Sequence, residues 1–171
     1  MVIERRAARA LLIAEESVLL IQGGDPARPE AGRWWLTPGG GIDVGESLEV
    51  AAAREVLEET GLTLAPEEMG PVVATRVAEF TFDSRDFRQA EWFFAVHVEP
   101  FEPHGAGWEE IETRALFGYR WWTLDALAAT GELIYPVELA ALLRAVLADT
   151  LTEPMELVRG VSRSMEGPGQ A

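Results

Sequence analysis

The chain has 171 residues, no cysteine and a formal net charge of −15. That length suits one domain with a sizeable core, and the lack of cysteine excludes disulfides, zinc–thiolate sites and cysteine nucleophiles. The acidity is unsuited to binding a nucleic-acid polymer or an anionic membrane, since both need a basic footprint.

All fourteen basic residues are arginine, which excludes lysine Schiff-base chemistry and the lysine of a P-loop. A phosphate-bearing ligand therefore needs metal ions or well-placed arginines. No apolar run reaches the roughly 18 residues that would span a bilayer. The apolar stretch Ala10 to Ile13 is too short for a signal peptide, so a cytoplasmic protein is expected.

In chain order, Ala7 to Ile13 and Val18 to Gln22 read as a hairpin around Glu15–Glu16–Ser17. Gly23 to Gly32 is a loop, and Trp34 to Leu36 a short strand ending at Pro38. Gly39–Gly40–Gly41 and Gly45 mark turns. Glu46 to Thr60, free of proline and glycine, reads as a helix closed by Gly61. Val72 to Phe82 and Ala90 to Val98 form a second hairpin around a polar turn, Asp83 to Arg88. After a loop at Pro100 to Gly107 come a strand, Phe117 to Trp122, and a short helix, Leu124 to Ala129, capped by Thr123. Pro136 to Leu151 is a last amphipathic helix. We expect one domain over residues 1–151 and a flexible tail over 152–171. Helices alternating with hairpin strands point to an α/β fold, a mixed sheet covered by helices.

The helix from Glu46 carries the chemistry. Glu55, Glu58 and Glu59, spaced i, i+3 and i+4, share one face. Three carboxylates so close repel one another and cost stability unless something positive sits among them. Arg54 relieves part of this as the i, i+4 partner of Glu58, and a hard divalent cation such as Mg²⁺ or Mn²⁺ suits the rest. The remaining faces, Val50, Ala53 and Leu57 beside Leu48, Ala52 and Val56, are apolar and can lie on a sheet. An acidic helix edge is more often only a solvated face, so the glutamates alone do not establish a metal site.

The whole segment Gly40 to Leu62 does more. It resembles the Nudix box, G-x5-E-x7-R-E-U-x-E-E-x-G-U with U a bulky aliphatic residue, at Gly40, Glu46, Arg54, Glu55, Val56, Glu58, Glu59, Gly61 and Leu62. The preceding RWWLTPGG and the later GYRWWTLDAL also resemble this family. The resemblance implies an α/β/α sandwich that hydrolyses the pyrophosphate bond of a nucleoside diphosphate derivative. Glu55, Glu58 and Glu59 would be Mg²⁺ ligands, Gly40 would shape the loop and lend a carbonyl, and Glu46 and Arg54 would orient the ligands. The general base stays open between the box, at Glu58 or Glu59, and the cluster Glu109, Glu110 and Glu112, of which Glu112 is the residue placed for it. That cluster is equally readable as a solvated loop.

Substrate marks are weaker. The proline frequent in ADP-ribose hydrolases has no counterpart at Arg76–Val77. The tyrosine frequent in dinucleoside polyphosphate hydrolases is replaced by Glu79–Phe80, and the marks of NADH- and coenzyme A-cleaving members are missing. A nucleoside triphosphate or related nucleotide remains, with ADP-ribose or nucleotide sugars as alternatives. Trp34, Trp92 and Trp108 are stacking candidates, although aromatic residues near strands are mostly core. Arg33, Arg76 and Arg88 are phosphate candidates, and His97 and His104 receive no role. A non-catalytic nucleotide sensor of the same fold is the rival reading, and the intact box argues against it. Either a monomer or a homodimer is compatible with the sequence. Glu58→Gln and Glu59→Gln are each expected to lower turnover at least about 10²-fold without unfolding the protein, as steady-state kinetics and a thermal melt would show.

Overall fold

The computed structural model describes residues 1–161. Its first hairpin joins β1 (Val2–Ala14) to β2 (Ser17–Gly24), with Ala14 opposite Ser17. Next come β3 (Arg33–Leu36), antiparallel to β2, and β4 (Gly39–Gly41), antiparallel to β1. The glycine run is therefore a short strand rather than a turn, its residues facing Ala7, Ala8 and Arg9.

Helix α1 (Leu48–Thr60) starts two residues later than expected. Ser47 is its N-cap: the backbone there is extended, and the hydroxyl accepts the Val50 N–H at 3.2 Å. Glu46 thus stands before the helix rather than in its first turn. Gly61 ends α1 in the left-handed conformation, φ 76°.

The second hairpin joins β5 (Val72–Phe82) to β6 (Arg85–His97). Its turn is only Asp83–Ser84, shorter than the expected Asp83 to Arg88. Both residues have positive φ, 47° and 62°, matching the twist of the flanking strands. Where a loop was expected around Glu109 to Glu112, a six-residue helix forms, α2 (Glu110–Ala115). It leads into β7 (Leu116–Thr123), antiparallel to β2, and α3 (Leu124–Ala129), whose first turn is capped by Thr123. β8 (Ile134–Tyr135) lies parallel to β3. Helix α4 (Leu139–Leu147) is shorter than the expected Pro136 to Leu151, and Asp149 turns the chain away at φ 51°. Within the expected tail, β9 (Met155–Glu156) and β10 (Gly160–Val161) pair in parallel with β5. Residues 162–171 lie outside the described residues.

Strand alternation sorts the core into two layers. Leu11 and Ile13 of β1, Val18 and Leu20 of β2, and Phe93 of β6 pack against Leu127 of α3 and Leu139, Leu142 and Leu143 of α4. Their neighbours Ala8, Ala10, Leu12, Leu19 and Phe94 pack on the other side against Ala51, Ala52, Ala53 and Val56 of α1. The result is an α/β/α sandwich, as expected. The small residues on both sides of the α1 interface let helix and strands approach closely.

β1 runs parallel to β6 from Val2 to Ile13, yet it pairs with β2 only near their shared turn. Beyond that corner the two strands part, β1 taking β4 and β2 taking β3 as partner. The cleft between these half-sheets is the site described next. Among the described residues no helix is long and apolar enough to cross a membrane.

Leu142→Ala is expected to cost about 2–5 kcal/mol, since the side chain is fully buried. Leu57→Ala, at a side chain 46% exposed, should stay within about 0.5 kcal/mol. Urea unfolding midpoints for the two variants test this.

Candidate functional site

The site begins with one guanidinium. Arg54 donates through Nε and Nη2 to the two oxygens of Glu46, both at 2.9 Å. Its Nη1 reaches Glu55 at 2.9 Å and Glu58 at 3.2 Å, and its Nη2 also reaches the Gly41 carbonyl at 2.8 Å. One side chain thus ties α1 to the loop before it. The Arg54 hydrogen bonds, with a further one from the Asp43 N–H at 2.9 Å, hold the Glu46 carboxyl down at about 2.

Beyond Arg54, three carboxylates converge. Glu55, Glu59 and Glu112 can each place an oxygen within 4.8 Å of the others. Burial raises all three pKa values; Arg54 opposes this at Glu55, and mutual repulsion adds to it, chiefly from Glu55 at Glu59. Glu59 is almost fully buried and accepts the Gly39 N–H at 2.7 Å. Gly40 lies directly against Glu55: a Cβ there would sit 2.6 Å from the carboxylate and would push it from its place beside Arg54. Glu58 is turned toward Arg54 and stands outside this trio. An all-oxygen set of mutually repelling carboxylates, two of them buried, fits a hard divalent cation.

Glu112 reaches the trio because its segment is clasped to the end of α1. The Glu59 carbonyl, one of the last-turn acceptors without a partner inside the helix, takes hydrogen bonds from Trp108 Nε1 and the Tyr119 hydroxyl. The Thr60 carbonyl takes the His104 N–H at 3.1 Å. Gly107 lies on the Glu58 backbone, where a Cβ would come within 2.7 Å. Glu112 itself accepts the Glu109 N–H at 2.8 Å, which fixes one of its oxygens at the start of α2. Burial, with the Glu59 charge nearby, pushes the Tyr119 hydroxyl up to about 12, so it remains a donor.

The trio borders a cavity of about 820 Å³ between the half-sheets, with Trp34 and Phe80 in its wall. On its floor Glu91, 1% exposed, accepts from Arg9 Nε at 2.7 Å, Arg76 Nε at 2.6 Å and Gln89 Nε2 at 2.8 Å. Arg9 also donates to the carbonyls of Thr37 and Gly39. Sequence reasoning missed this network. Its only sequence signal is charge inside otherwise apolar strands, at Arg9, Arg76 and Glu91.

Of the other residues singled out, Trp34 lines the cavity, whereas Trp92 lies under Arg6. Arg33 stacks on Phe117 and Arg88 pairs with Glu4 and Glu79. Arg76 lines the cavity but is bound to Glu91. His97 is exposed at the end of β6.

A three-layer sandwich with carboxylates gathered at one helix edge beside a cleft defines a recognisable class of domain. The model of the NUDIX domain matches residues 4–143, and the chain belongs to this family. The uncharacterized Nudix hydrolase YvcI of Bacillus subtilis strain 168 is 30% identical over 94 residues, 55% of this chain and 52% of that protein. An RNA pyrophosphohydrolase of Caulobacter vibrioides is 66% identical over 29 residues, 17% of each chain. The chain thus spans about half, or less, of the length of these relatives. Among solved structures, a MutT protein from Methanosarcina mazei Go1 superposes with a TM-score of 0.60 at 22% identity, over 86% of this chain and 96% of that one.

Burial alone would raise the Glu91 pKa, but Arg9 and Arg76 outweigh it and the net shift is downward. A depressed folded-state pKa contributes stability that is present above the unfolded value, about 4.3, and is lost as pH falls through the lower folded value. Glu91→Gln should lose about 3–5 kcal/mol at neutral pH by leaving two arginines uncompensated. Its stability should also decline less than that of the wild type over that acid window. Chemical denaturation from pH 7 to pH 3 measures both effects.

Proposed function

We propose that the protein hydrolyses the pyrophosphate bond of a nucleoside diphosphate derivative, with a nucleoside triphosphate or related nucleotide as substrate and Mg²⁺ or Mn²⁺ as the required cation. The observation that carries this reading is the meeting of Glu55, Glu59 and Glu112 at the edge of a cavity of nucleotide size. When bound, the cation supplies neutralising charge for the pyrophosphate and lowers the pKa of a water.

The chain's own residues do the rest. Glu55, fixed by Arg54, and Glu59, fixed by the Gly39 N–H, are the side chains to hold the cation. Arg54 keeps Glu46, Glu55 and Glu58 in register and neutralises part of their charge. Glu112 makes no ion pair among the described residues, and burial raises its pKa. We assign it to take the proton of the attacking water at a carboxylate oxygen. As the new P–O bond forms, the bond to the bridging oxygen breaks and the leaving phosphate departs with the electron pair. Trp34 and Phe80 offer aromatic faces to the base. Support for a nucleotide substrate comes from the family itself.

A panel of nucleotides, dinucleotides and nucleotide sugars, assayed with Mg²⁺ and then with chelator, tests the reading. Turnover of a nucleotide that chelator abolishes is expected. Glu112→Gln should lower kcat at least about 10²-fold while keeping the rise in Tm on adding Mg²⁺. Binding of a nucleotide without turnover under either condition would identify a sensor and sink the assignment.

A further inference from the structure

One arginine at the rim of the cavity is left without an ion pair among the described residues. Five arginines line it. Arg9 and Arg76 share Glu91, Arg28 pairs with Asp25, and Arg54 pairs with Glu46, Glu55 and Glu58. Arg5 makes no ion pair or hydrogen bond with any described residue. Its guanidinium is exposed, lies 5.9 Å from the centroid of the Phe87 ring, and feels the charges of Glu55 and Glu91 only at longer range.

Arg5 is nevertheless held in a defined place. It lies on β1 two positions from Ala7 and four from Arg9, so its side chain shares the face of the sheet that carries Arg9. Its register partner on β6 is Gln89, and the register partner of Ala7 is Glu91. Its guanidinium rests on Gly41: a Cβ there would stand 2.9 Å from Nη2, 3.0 Å from Nε and 3.3 Å from Cζ. The neighbouring Gly40 meets the Glu55 carboxylate in the same way, at 2.6 Å. Successive residues of a strand point to opposite faces, and their Cα atoms are about 3.8 Å apart. The guanidinium and the carboxylate trio therefore flank one side-chain-free strand, within the span of a single nucleotide. Of this run the Nudix pattern requires only Gly40; making room for Arg5 accounts for Gly41.

A second observation marks this floor as unfinished. Gln89, 1% exposed, gives its Nε2–H to Glu91, and its Oε1 has no hydrogen-bond partner. The Glu91 carboxylate only accepts, so the amide cannot be reversed without losing that bond. Gln89 is the register neighbour of Arg5, and its free oxygen suits a donor on the ligand, such as a hydroxyl, beside the phosphate that Arg5 would take.

We propose that Arg5 anchors the phosphate of the substrate that the carboxylate-held cation does not reach, so that the ligand is gripped at both ends of its pyrophosphate. This rests on the reading of the site given above. Arg5 is a binding and positioning residue: it fixes where the second phosphate lies and leaves the chemistry to the trio. A guanidinium suits this task because it can present two parallel N–H donors to phosphate oxygens.

Calorimetry with methylenediphosphonate, a pyrophosphate analogue that cannot be hydrolysed, tests the assignment in the presence of Mg²⁺. Arg5→Ala should weaken binding about 10- to 100-fold, the scale of a lost charge-assisted contact. Arg5→Lys should restore part of the affinity, and Arg6→Ala, on the opposite face over Trp92, should match the wild type. With the nucleotide that the panel identifies, Arg5→Ala should raise KM by a similar factor and lower kcat far less. Equal affinity of wild type and Arg5→Ala for the analogue, or binding by neither, overturns the proposal and leaves the hydrolase reading standing. Arg5-dependent binding in a protein that turns over no nucleotide keeps the anchor and removes the hydrolase reading instead.

Discussion

The site depends on the reach of Arg54. Carboxylates gathered on one helix edge repel each other, and without a fixed counter-charge they would rotate into solvent. Arg54 prevents this from within the same helix. It grips Glu46 with two parallel bonds, touches Glu55 and Glu58, and closes on the Gly41 carbonyl. The loop carrying the glycines is thereby locked to the helix carrying the acids. A lysine could not make these contacts together, because it lacks the planar fork.

Around that lock the protein separates its charges by layer. The acidic trio belongs to the α1 side and the segment clasped to it. The arginines of the floor belong to the sheet, where Glu91 partly neutralises them. An overall charge of −15 would repel a polyphosphate, yet this cavity sets arginines beside a carboxylate cluster whose chemistry fits a divalent cation. Local placement, rather than net charge, decides which anion can enter.

How much of this was legible in the sequence follows from how far apart the interacting residues stand. Glu55, Glu58 and Glu59 are neighbours on one helix, so spacing alone gathers them on one edge, and the Arg54–Glu58 contact obeys the same i, i+4 rule. The layer structure was legible too, because alternation in β1 and β2 writes both core faces into the sequence. Glu112 was a candidate only by resemblance; its arrival beside Glu59 needs the clasp by Trp108 and Tyr119, which no local pattern reveals. The Glu91 network joins distant Arg9 to the β5–β6 hairpin, where Arg76 faces Glu91 only in the register set by the two-residue turn Asp83–Ser84; without that register Arg76 read as a surface phosphate contact. The turning of Glu58 toward Arg54 and away from the trio depends on side-chain choice, which spacing cannot distinguish.

The long parallel pairing of β1 with β6 also bears on how this chain comes to be folded. Val2 faces Asp86 and Ile13 faces His97, so β1 waits for a strand that emerges more than 80 residues later. Until then the apolar faces of β1, β2 and α1 have no complete sheet to cover them. Such non-local pairing slows folding and leaves the nascent chain open to association. The same strand that sets the floor of the cavity therefore leaves the segment from β1 to α1 with uncovered apolar faces until β6 has been made.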